Sequence, residues 1–375
     1  MKSGDAVCEL QAIAFAVYAI ARELNMKTRW MLYGPTGYTG ALMLQECVRR
    51  GLQPVLAGRY ANSLEPLAAR HGLTYRELPL DDPARLEDGL AGMRLVLHCA
   101  GPFSRTSAPM RAACIEAGVH YLDITGEIDV FEAAHADGPR AREAGVLLCP
   151  GVGFDVVPTD CVAATLAAAL PGATSLHLGF SGVDHMSAGT MATSMEAVRR
   201  GCARVRQAGR IVDRPFGQGH RLADFGRGPE KTFVIPWGDV STAGYTTGIG
   251  DVAVHIPWRS PGARAIRALL PVRGVLTAPA SVGFTQWLLR RLAPGPDARR
   301  REGETSRIWG EMCDGAGRTR SAVLNAPNGY TLTVQTALLA VEHVLSTQVT
   351  PGYQTPSQLL GAGCLEKLGL KIELA

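Results

Sequence analysis

A short apolar stretch followed by three regularly spaced glycines constrains this chain more than any other feature. The stretch runs from 30 to 33, and Gly34, Gly37 and Gly40 follow it as G-x-x-G-x-x-G, before the helical pattern of 41–49. Glycine permits positive φ and a close backbone approach to a ligand. The first turn of a helix offers unpaired N–H groups to a phosphate. An ordinary strand-to-helix turn is the alternative, and the neighbouring segments decide between the two interpretations.

Short apolar runs alternate with helical segments through the rest of this first region. The predicted strands after the first are 54–57, 74–78, 95–99, 120–123 and 146–149. Six strands that alternate with helices in one direction predict an α/β fold, a Rossmann doubly wound parallel sheet. Ligands of such sheets bind beyond the carboxyl ends of the strands. The context therefore favours the dinucleotide interpretation of the glycine turn.

The end of the second predicted strand indicates which dinucleotide binds. Chains that bind NAD tend to place an acid about 20 residues after the glycines, whereas an arginine there accommodates the 2′-phosphate of NADP. Here no acid follows the strand, and Arg59 does. We predict that Arg59 selects NADP, with Arg29 and Arg70 as further candidates for the phosphate. A solvated surface arginine is the alternative for Arg59.

Further cofactor contacts are predicted from position in the sheet. The fourth strand ends in small residues, which leave open backbone at the edge where ligands bind. Polar and aromatic side chains separate the three glycines. The predicted contacts besides the glycines and Arg59 are Thr36, Tyr38, Thr39, Cys99, Ala100, Gly101 and Pro102. His98, inside the fourth strand, is predicted to be a core histidine.

Composition and cysteine spacing exclude several other classes of protein. A hydrophobic content of 46% with 19% charged residues is typical of a folded chain, and a net charge of +4 gives no nucleic-acid signal. The nine cysteines are scattered without C-x-x-C, and H-E-x-x-H is absent. Free thiols in a reducing compartment follow, so we predict a cytoplasmic protein with no metal site and no nucleic-acid partner.

The chain of 375 residues is long enough for more than one domain. We predict an N-terminal extension over 1–25, with Met26 as the natural start, and a nucleotide-binding domain over 26–155. A substrate or oligomerisation α/β domain with a mixed sheet is predicted over 156–330, and C-terminal helices over 331–375 return toward the first domain.

The second half reads as a β-rich substrate layer that could also be the sheet of a homodimer. Residues 174–180 alternate in hydrophobicity, which predicts a half-exposed strand. A turn at 187–190 and a helix over 190–207 are predicted next, followed by short strands from 210 to 256.

An apolar segment flanked by arginines lies within 261–293. Its uncharged part, 274–289, is shorter than the roughly 20 residues of a membrane span. Basic flanks around an apolar, Trp-containing segment suit peripheral contact with an anionic membrane surface or with a lipid-like substrate. An oligomer contact, or a lid over the substrate pocket, is the alternative.

Several motifs, in order, resemble the saccharopine dehydrogenase-like oxidoreductases, especially the branch of trans-acting enoyl reductases. In the first region they are YGPTGYTG at 33–40, LAGR at 56–59, CAGPF at 99–103, ACIEAG at 113–118, YLDITGE at 121–127 and GFDVVPTD at 153–160. Farther along they are SAGT at 187–190, GPDARR at 295–300, GYTLT at 329–333 and TPS at 355–357. The resemblance implies an NADP-binding Rossmann domain and hydride transfer at a C=N or C=C bond. It also implies that the glycine turn, Arg59, Gly101 and Pro102 contact the cofactor.

A reduction of this kind needs a proton donor when it leaves a charged atom. Four side chains beyond the fifth and sixth strands are candidates: Tyr121, Asp123, Glu127 and Asp155. Each also has a structural interpretation: Tyr121 as a core aromatic, Asp123 as a loop cap, Glu127 as a capping side chain and Asp155 as a helix N-cap.

Three functions remain open at this point. The first is an NADPH-dependent reductase acting on a C=C or C=N bond of a hydrophobic, carrier-linked or lipid-like metabolite. The second is an amino-acid-type C–N dehydrogenase. The third is a non-catalytic NADP-binding scaffold associated with a membrane.

Overall fold

The computed structural model describes residues 29–182, 200–272 and 295–375. Elements are numbered in chain order. The strands are β1 Trp30–Tyr33, β2 Val55–Gly58, β3 Tyr75–Glu77, β4 Leu95–His98, β5 His120–Asp123, β6 Leu147–Cys149, β7 Ala173–Ser181, β8 Cys202–Gln207, β9 Arg210–Pro215, β10 Leu222–Asp224, β11 Pro229–Ile235, β12 Asp251–Pro257, β13 Thr305–Asp314, β14 Thr319–Pro327, β15 Gly352–Tyr353 and β16 Ile372–Leu374.

The described residues also form the helices that pack against the two sheets. They are α1 Tyr38–Arg49, α2 Ala61–His71, α3 Pro83–Leu90, α4 Phe103–Glu116, α5 Ile128–Ala136, α6 Gly138–Glu143, α7 Val157–Ala169, α8 Asp239–Thr247, α9 Pro261–Leu269, α10 Ala298–Gly303, α11 Gly329–Ser346 and α12 Pro356–Leu360. Two 3₁₀ helices, Leu270–Val272 and Cys364–Leu368, complete the list.

The first sheet is the predicted doubly wound parallel sheet. Its strand order is β15-β6-β5-β4-β1-β2-β3, and every neighbouring pair is parallel. All four residues of β1, β2 and β4 are buried, as expected for central strands covered by helices on both faces. The predicted fold class is confirmed.

The C-terminal part of the chain completes this first sheet. Helix α11 packs its buried side chains, Leu338 and Val341 among them, into the same apolar cluster as Leu32, Leu56 and Leu97. Strand β15 then pairs in parallel with β6. The predicted return of the C-terminal helices toward the nucleotide-binding sheet agrees with these contacts. The seventh strand was not predicted.

The second sheet is mixed, with the order β10-β11-β12-β7-β13-β14-β16 and with β8 and β9 attached beside β12. Strand β7 runs parallel to β12 and antiparallel to β13. Helices α7 and α8 pack on one face, where Leu178, Val254 and Ile308 belong to one large cluster. The sheet agrees with the predicted mixed-sheet layer, while the exact domain boundaries stay predictions.

Two predicted elements in this half are wrong. The helix predicted over 190–207 does not include Cys202–Gln207, which forms β8 and pairs antiparallel with β9. Ala203 and Val205 are buried while Arg204 and Arg206 alternate with them, so the side-chain period is that of a strand. The run of short strands from 210 to 256 is interrupted by helix α8, which ends at Gly248 in the left-handed conformation that favours glycine.

Several predictions fall outside the described residues. They are the extension over 1–25, with Met26 as the natural start, the turn at 187–190 and most of the apolar segment 261–293. Of that segment the structure describes α9 and the 3₁₀ turn after it, where the Arg267 guanidinium donates to the carbonyl of Trp258 at 2.6 Å.

Among the helices of the described ranges, none combines the length and the apolarity that crossing a bilayer requires.

Candidate cofactor and active site

The glycine turn is built so that two of its glycines have no room for a side chain. Gly34 has φ +86°, its N–H donates to the Ala57 carbonyl at 2.8 Å, and a Cβ placed on it would lie 2.8 Å from the Cβ of Ala100. A Cβ on Gly40 would overlap the carbonyl oxygen of Gly34. Gly37, by contrast, is exposed, has φ −76°, and would place a Cβ 3.6 Å from that oxygen, an ordinary van der Waals contact.

The turn leads directly into an uncapped helix N-terminus. The first helical hydrogen bond of α1 is from the Ala41 N–H to the Gly37 carbonyl, at 2.8 Å. Within the described part of the chain, no side chain caps this end. The N–H groups of Tyr38, Thr39 and Gly40 are therefore offered outward beside the exposed Thr36. This cradle fits a diphosphate group.

Arg59 lies beyond β2, on the same edge of the sheet. Its side chain is exposed, and its guanidinium lies 5.4 Å from the centre of the Tyr60 ring. Burial raises the pKa of the nearby Tyr33 phenol to about 12, and the positive charge of Arg59 partly opposes this rise. An exposed guanidinium one strand away from the glycine turn fits a 2′-phosphate.

The end of β4 forms the wall beside the glycine turn. Cys99 is buried and donates its N–H to the Tyr33 carbonyl at 2.8 Å. Ala100 packs on Gly34, and its carbonyl accepts a 2.7 Å hydrogen bond from the Thr106 hydroxyl. Gly101 is exposed, and Pro102 precedes the first residue of α4. These residues lie at the predicted cofactor edge.

His98 lies beneath this wall as a core residue. It is fully buried, its Nε2 lies 3.1 Å from the Thr106 hydroxyl, and burial lowers its pKa to about 3. The imidazole is therefore neutral at physiological pH, in agreement with the core histidine predicted for this position.

Two of the four proton-donor candidates are fully buried and bonded to each other. The Tyr121 hydroxyl donates to Asp123 Oδ2 at 2.6 Å, while Oδ1 of Asp123 accepts from the backbone N–H groups of Thr125 and Gly151, each at 2.9 Å. Burial is the main cause that raises the pKa of both groups. Asp123 thus ties the loop after β5 to the loop after β6.

Glu127 caps a neighbouring helix. Its two carboxylate oxygens accept from the backbone N–H groups of Phe103 at 2.9 Å and Ser104 at 2.7 Å, the first residues of α4. The carboxylate therefore supplies the cap that Pro102, at the N-cap position, cannot. Its capping interpretation agrees with this geometry.

Asp155 differs from the other three candidates. It is half-buried between β6 and α7, and its carboxylate lies so close to Gly126 that a Cβ there would be 2.7 Å from Oδ2. Burial, and secondly the charge of Glu127, raises the pKa of Asp155 to about 7. This carboxyl can therefore hold or release a proton near neutral pH.

An aromatic group lies beside Asp155. The ring centres of Phe154 and Phe180 are 5.8 Å apart, and those of Phe180 and Trp237 are 4.8 Å apart. The indole N–H of Trp237 donates to the Asp155 carbonyl at 2.7 Å. The three rings come from the loop after β6, from β7 and from the segment before α8, so both sheets contribute to the surroundings of Asp155.

The structure thus brings Glu127 and Asp155 together near the strand ends, and places Tyr121 and Asp123 beneath them. Sequence reasoning missed Phe180 and Trp237, which are distant in the chain from Asp155. Trp237 had one available signal, because it ends the apolar run of a predicted strand. In the described ranges, no three His, Cys, Asp or Glu side chains form a group able to hold a metal ion.

A comparison with protein families matches residues 30–149 to the saccharopine dehydrogenase NADP-binding domain. Among curated proteins, a trans-acting enoyl reductase of Mycobacterium ulcerans is 32% identical over 244 residues, which is 58% of this chain and 56% of that protein. A saccharopine dehydrogenase-like oxidoreductase of Mus musculus is 28% identical over 152 residues, or 35% of each chain. The chain therefore spans between about a third and about half of these relatives' lengths.

Among solved structures, the apo saccharopine dehydrogenase (L-Glu forming) of Saccharomyces cerevisiae superposes with a TM-score of 0.59 at 12% identity. The match covers 93% of this chain and 99% of that one. At this identity the similarity establishes the fold, and it extends through the second sheet as well as the first.

The fold, the glycine turn and the family match together define the class, a protein with an NADP-binding domain whose curated relatives are named oxidoreductases. More particularly, residues 30–149 are similar to the saccharopine dehydrogenase NADP-binding domain. The predicted cofactor, NADP, and the predicted resemblance to saccharopine dehydrogenase-like oxidoreductases and trans-acting enoyl reductases are confirmed.

Proposed function

We propose that this protein is an NADPH-dependent reductase that transfers hydride to a C=C or C=N bond of a hydrophobic, carrier-linked or lipid-like metabolite. The observation that carries the proposal is the position of Asp155. A carboxyl whose pKa is about 7 lies beyond the strand ends, beside aromatic rings from both sheets. When bound, NADPH supplies the hydride.

The glycine turn has the task of binding and orientation. The N–H groups at the start of α1 bind the diphosphate, and the exposed Arg59 binds the 2′-phosphate. Ala100 and Gly101 form the wall along which the rest of the cofactor extends toward the ends of β5 and β6. This assignment uses the glycine turn, Arg59 and residues 99–102, which lie at the carboxyl ends of the strands. The alternative phosphate candidates are not assigned, because Arg29 precedes β1 and Arg70 lies near the end of α2, both at the opposite edge of the sheet.

Asp155 has the task of moving the proton. Protonated, its carboxyl donates to the atom that becomes negatively charged as the acceptor bond is reduced. Glu127 is not assigned this task, because both of its oxygens accept hydrogen bonds from α4. Tyr121 and Asp123 are not assigned it either, because both are fully buried and bonded to each other.

The aromatic group favours a hydrophobic substrate over an amino-acid-type one. The partly exposed Trp237 offers apolar surface near Asp155, and the buried rings of Phe154 and Phe180 support it and help to exclude water. A substrate with several carboxylates would need guanidinium groups in their place. Sequence similarity to a trans-acting enoyl reductase also supports the C=C alternative. The homodimer, the carrier link and the peripheral membrane contact through 261–293 stay predictions.

Turnover of substrate panels tests the proposal. NADPH oxidation is measured with α,β-unsaturated acyl thioesters and with cyclic imines, and deuterium at C4 of the nicotinamide is traced into the product by mass spectrometry. Deuterium on the former C=C or C=N carbon is the expected result. Tight NADPH binding without turnover on either panel would favour the scaffold, and oxidation of a saccharopine-like secondary amine would favour the amino-acid-type dehydrogenase.

The cofactor assignment has its own test. Loss of one charged hydrogen bond costs about 1.5–3 kcal/mol. Arg59→Ala is therefore expected to weaken the binding of NADPH by roughly tenfold or more and to leave the affinity for NADH nearly unchanged. Arg140→Ala, which removes an exposed arginine paired with Glu116, is the control. If Arg59→Ala weakened the binding of NADPH and NADH equally, Arg59 would not be the residue that selects NADPH.

A further inference from the structure

Tyr38 connects the glycine turn to a distant part of the chain. It is the first residue of α1, the helix whose N-terminus faces the proposed diphosphate site. Its hydroxyl donates to the carbonyl of Pro296 at 2.5 Å, in the segment that leads toward β13. The side chain of a proposed cofactor residue is thus fixed by residues that belong to the second half of the chain.

Arg301 completes this contact. Its Nη1 donates to the Tyr38 hydroxyl at 3.1 Å and to the Pro296 carbonyl at 2.9 Å. Arg301 lies on the short helix α10, which is capped by Asp297 through a 2.9 Å hydrogen bond from the Arg300 N–H. Because Arg301 and Tyr38 share Pro296, the three groups form a closed hydrogen-bonded triangle.

The Tyr38 ring is held from two further directions. It meets the ring of Tyr330 edge to face, with 4.9 Å between the ring centres. Gly295, with φ +87°, lies so close that a Cβ there would be 2.6 Å from Cε2 of Tyr38. Tyr330 follows Asn328, the N-cap of α11, whose amide donates to Glu304 at 2.6 Å. The starts of α1 and α11 therefore meet the 295–304 segment at Tyr38.

We infer that Arg301 is a positioning residue of the cofactor site, which acts through Tyr38 to fix the N-terminus of α1. This inference rests on the proposed function, since it assumes that the N–H groups of α1 bind the cofactor diphosphate. A small rotation of the first turn of α1 would misdirect those N–H groups, and the Arg301–Tyr38–Pro296 triangle opposes it.

The contact also couples two parts of the molecule. Coupling between binding and order is reciprocal, so if the 295–304 segment stabilises the turn that binds NADPH, then NADPH must stabilise the 295–304 segment. That segment continues into β13, which lies in the middle of the second sheet. Cofactor binding is thereby expected to order a segment that enters the substrate-side sheet.

Conservative variants test the inference. Tyr38→Phe removes the hydroxyl but keeps the ring contacts, and Arg301→Ala removes the guanidinium. Each variant removes hydrogen bonds that position the turn, so each is expected to weaken the binding of NADPH about three- to tenfold. In turnover assays each is expected to raise KM for NADPH with kcat within about twofold of the wild type. Arg301→Lys is expected to restore part of the affinity, and Arg300→Ala, which removes an exposed neighbour, to bind like the wild type.

Two further measurements separate positioning from a general loss of stability. In a double-mutant cycle, the loss for Tyr38→Phe with Arg301→Ala is expected to be smaller than the sum of the two single losses, because both variants remove the Tyr38–Arg301 hydrogen bond. Amide hydrogen exchange in 295–304 is expected to slow when NADPH binds to the wild type. In the variants, NADPH is expected to slow this exchange less. Independent, additive losses, or exchange in 295–304 that NADPH does not change, would overturn the inference.

The outcome for the wild type distinguishes this inference from the proposed function. If the wild type fails to bind NADPH, the proposed function falls and the inference falls with it. If the wild type binds NADPH and both Tyr38→Phe and Arg301→Ala bind it equally well, the inference alone is overturned.

Discussion

Gly40 packs so closely on Gly34 that a methyl group on Gly40 would overlap the Gly34 carbonyl oxygen. The contact closes the turn between β1 and α1, and it brings the start of the helix against the end of the strand. Close packing of helix on strand is the purpose of the third glycine in dinucleotide-binding turns. The first and third glycines are thus required by packing within the chain, whereas Gly37 is exposed and a Cβ there would make only an ordinary contact with the Gly34 oxygen.

A matched pair of variants tests the packing of the glycine turn. Gly40→Ala is expected to force the turn open and to destabilise the fold by about 1–3 kcal/mol, as overpacked sites do. The affinity for NADPH, measured by titration calorimetry, is expected to fall at least tenfold. Gly315→Ala, in the turn between β13 and β14, is the control, because its backbone does not have a positive φ and an added Cβ would meet no atom within 4 Å. Equal affinity of the two variants would contradict the role of Gly40.

Asp155→Asn tests the assigned proton donor through the pH dependence of turnover. The pKa of Asp155 is raised to about 7, so its protonated fraction, and with it the rate, should fall as pH rises through 7. General acids contribute about 10²–10⁴-fold, so Asp155→Asn is expected to lower kcat at least 10²-fold below pH 7 and to lose this inflection. An unchanged inflection in the variant would assign it to another group.

Asp155→Asn is also expected to change how the free energy of unfolding depends on pH. A carboxyl with a raised pKa binds a proton more tightly in the folded protein than in the unfolded chain, where its pKa is near 4. The stability it contributes is therefore fully present below about pH 4 and is lost as pH rises to about 7. In urea titrations between pH 4 and 8, Asp155→Asn should lack this decline. The difference between the two proteins is thus expected to favour the variant increasingly up to pH 7.

Glu127→Gln tests the link between the helix cap and Asp155. The negative charge of Glu127 contributes to the raised pKa of Asp155, so its removal should move the inflection of the pH–rate profile to lower pH. The amide oxygen of Gln can still accept from the start of α4, which limits the loss of stability to about 1 kcal/mol. Glu143→Gln, an exposed charge change at the end of α6, should leave the inflection in place, and a shift of similar size there would contradict the assignment.

The first sheet could be predicted from sequence because its central strands are buried on both faces. Such strands appear as continuous apolar runs, as β1, β2 and β4 do. The six predicted strands correspond to β1–β6, although β3 has no buried residue. Strand β15 could not be found in this way. It has two residues, and backbone hydrogen bonds to Val146 and Leu148 fix it, so it carries no hydrophobic pattern.

The second half was less predictable because its elements depend on tertiary contacts. Strand β8 was mistaken for a helix, although Gly201, with φ +80°, separates it from the residues before it. At the site, the glycine turn and Arg59 carried local signals. The contact between Tyr38 and Arg301 joins residues 263 positions apart, and a single sequence gives no measure of such a distance.

Leu338→Ala tests whether the C-terminal helix is part of the core of the nucleotide-binding sheet. Leu338 is fully buried in α11, in the same apolar cluster as Leu32 and Leu97. Truncation of such a side chain leaves a cavity and costs about 2–5 kcal/mol, so the urea midpoint should fall markedly. The matched control is Leu374→Ala, since Leu374 is 52% exposed on β16 and its truncation should cost less than about 0.5 kcal/mol. Helix α11 supports the first sheet from a position some 300 residues later in the chain than β1. A loss of stability for Leu338→Ala as small as that of the control would contradict the place of Leu338 in this core.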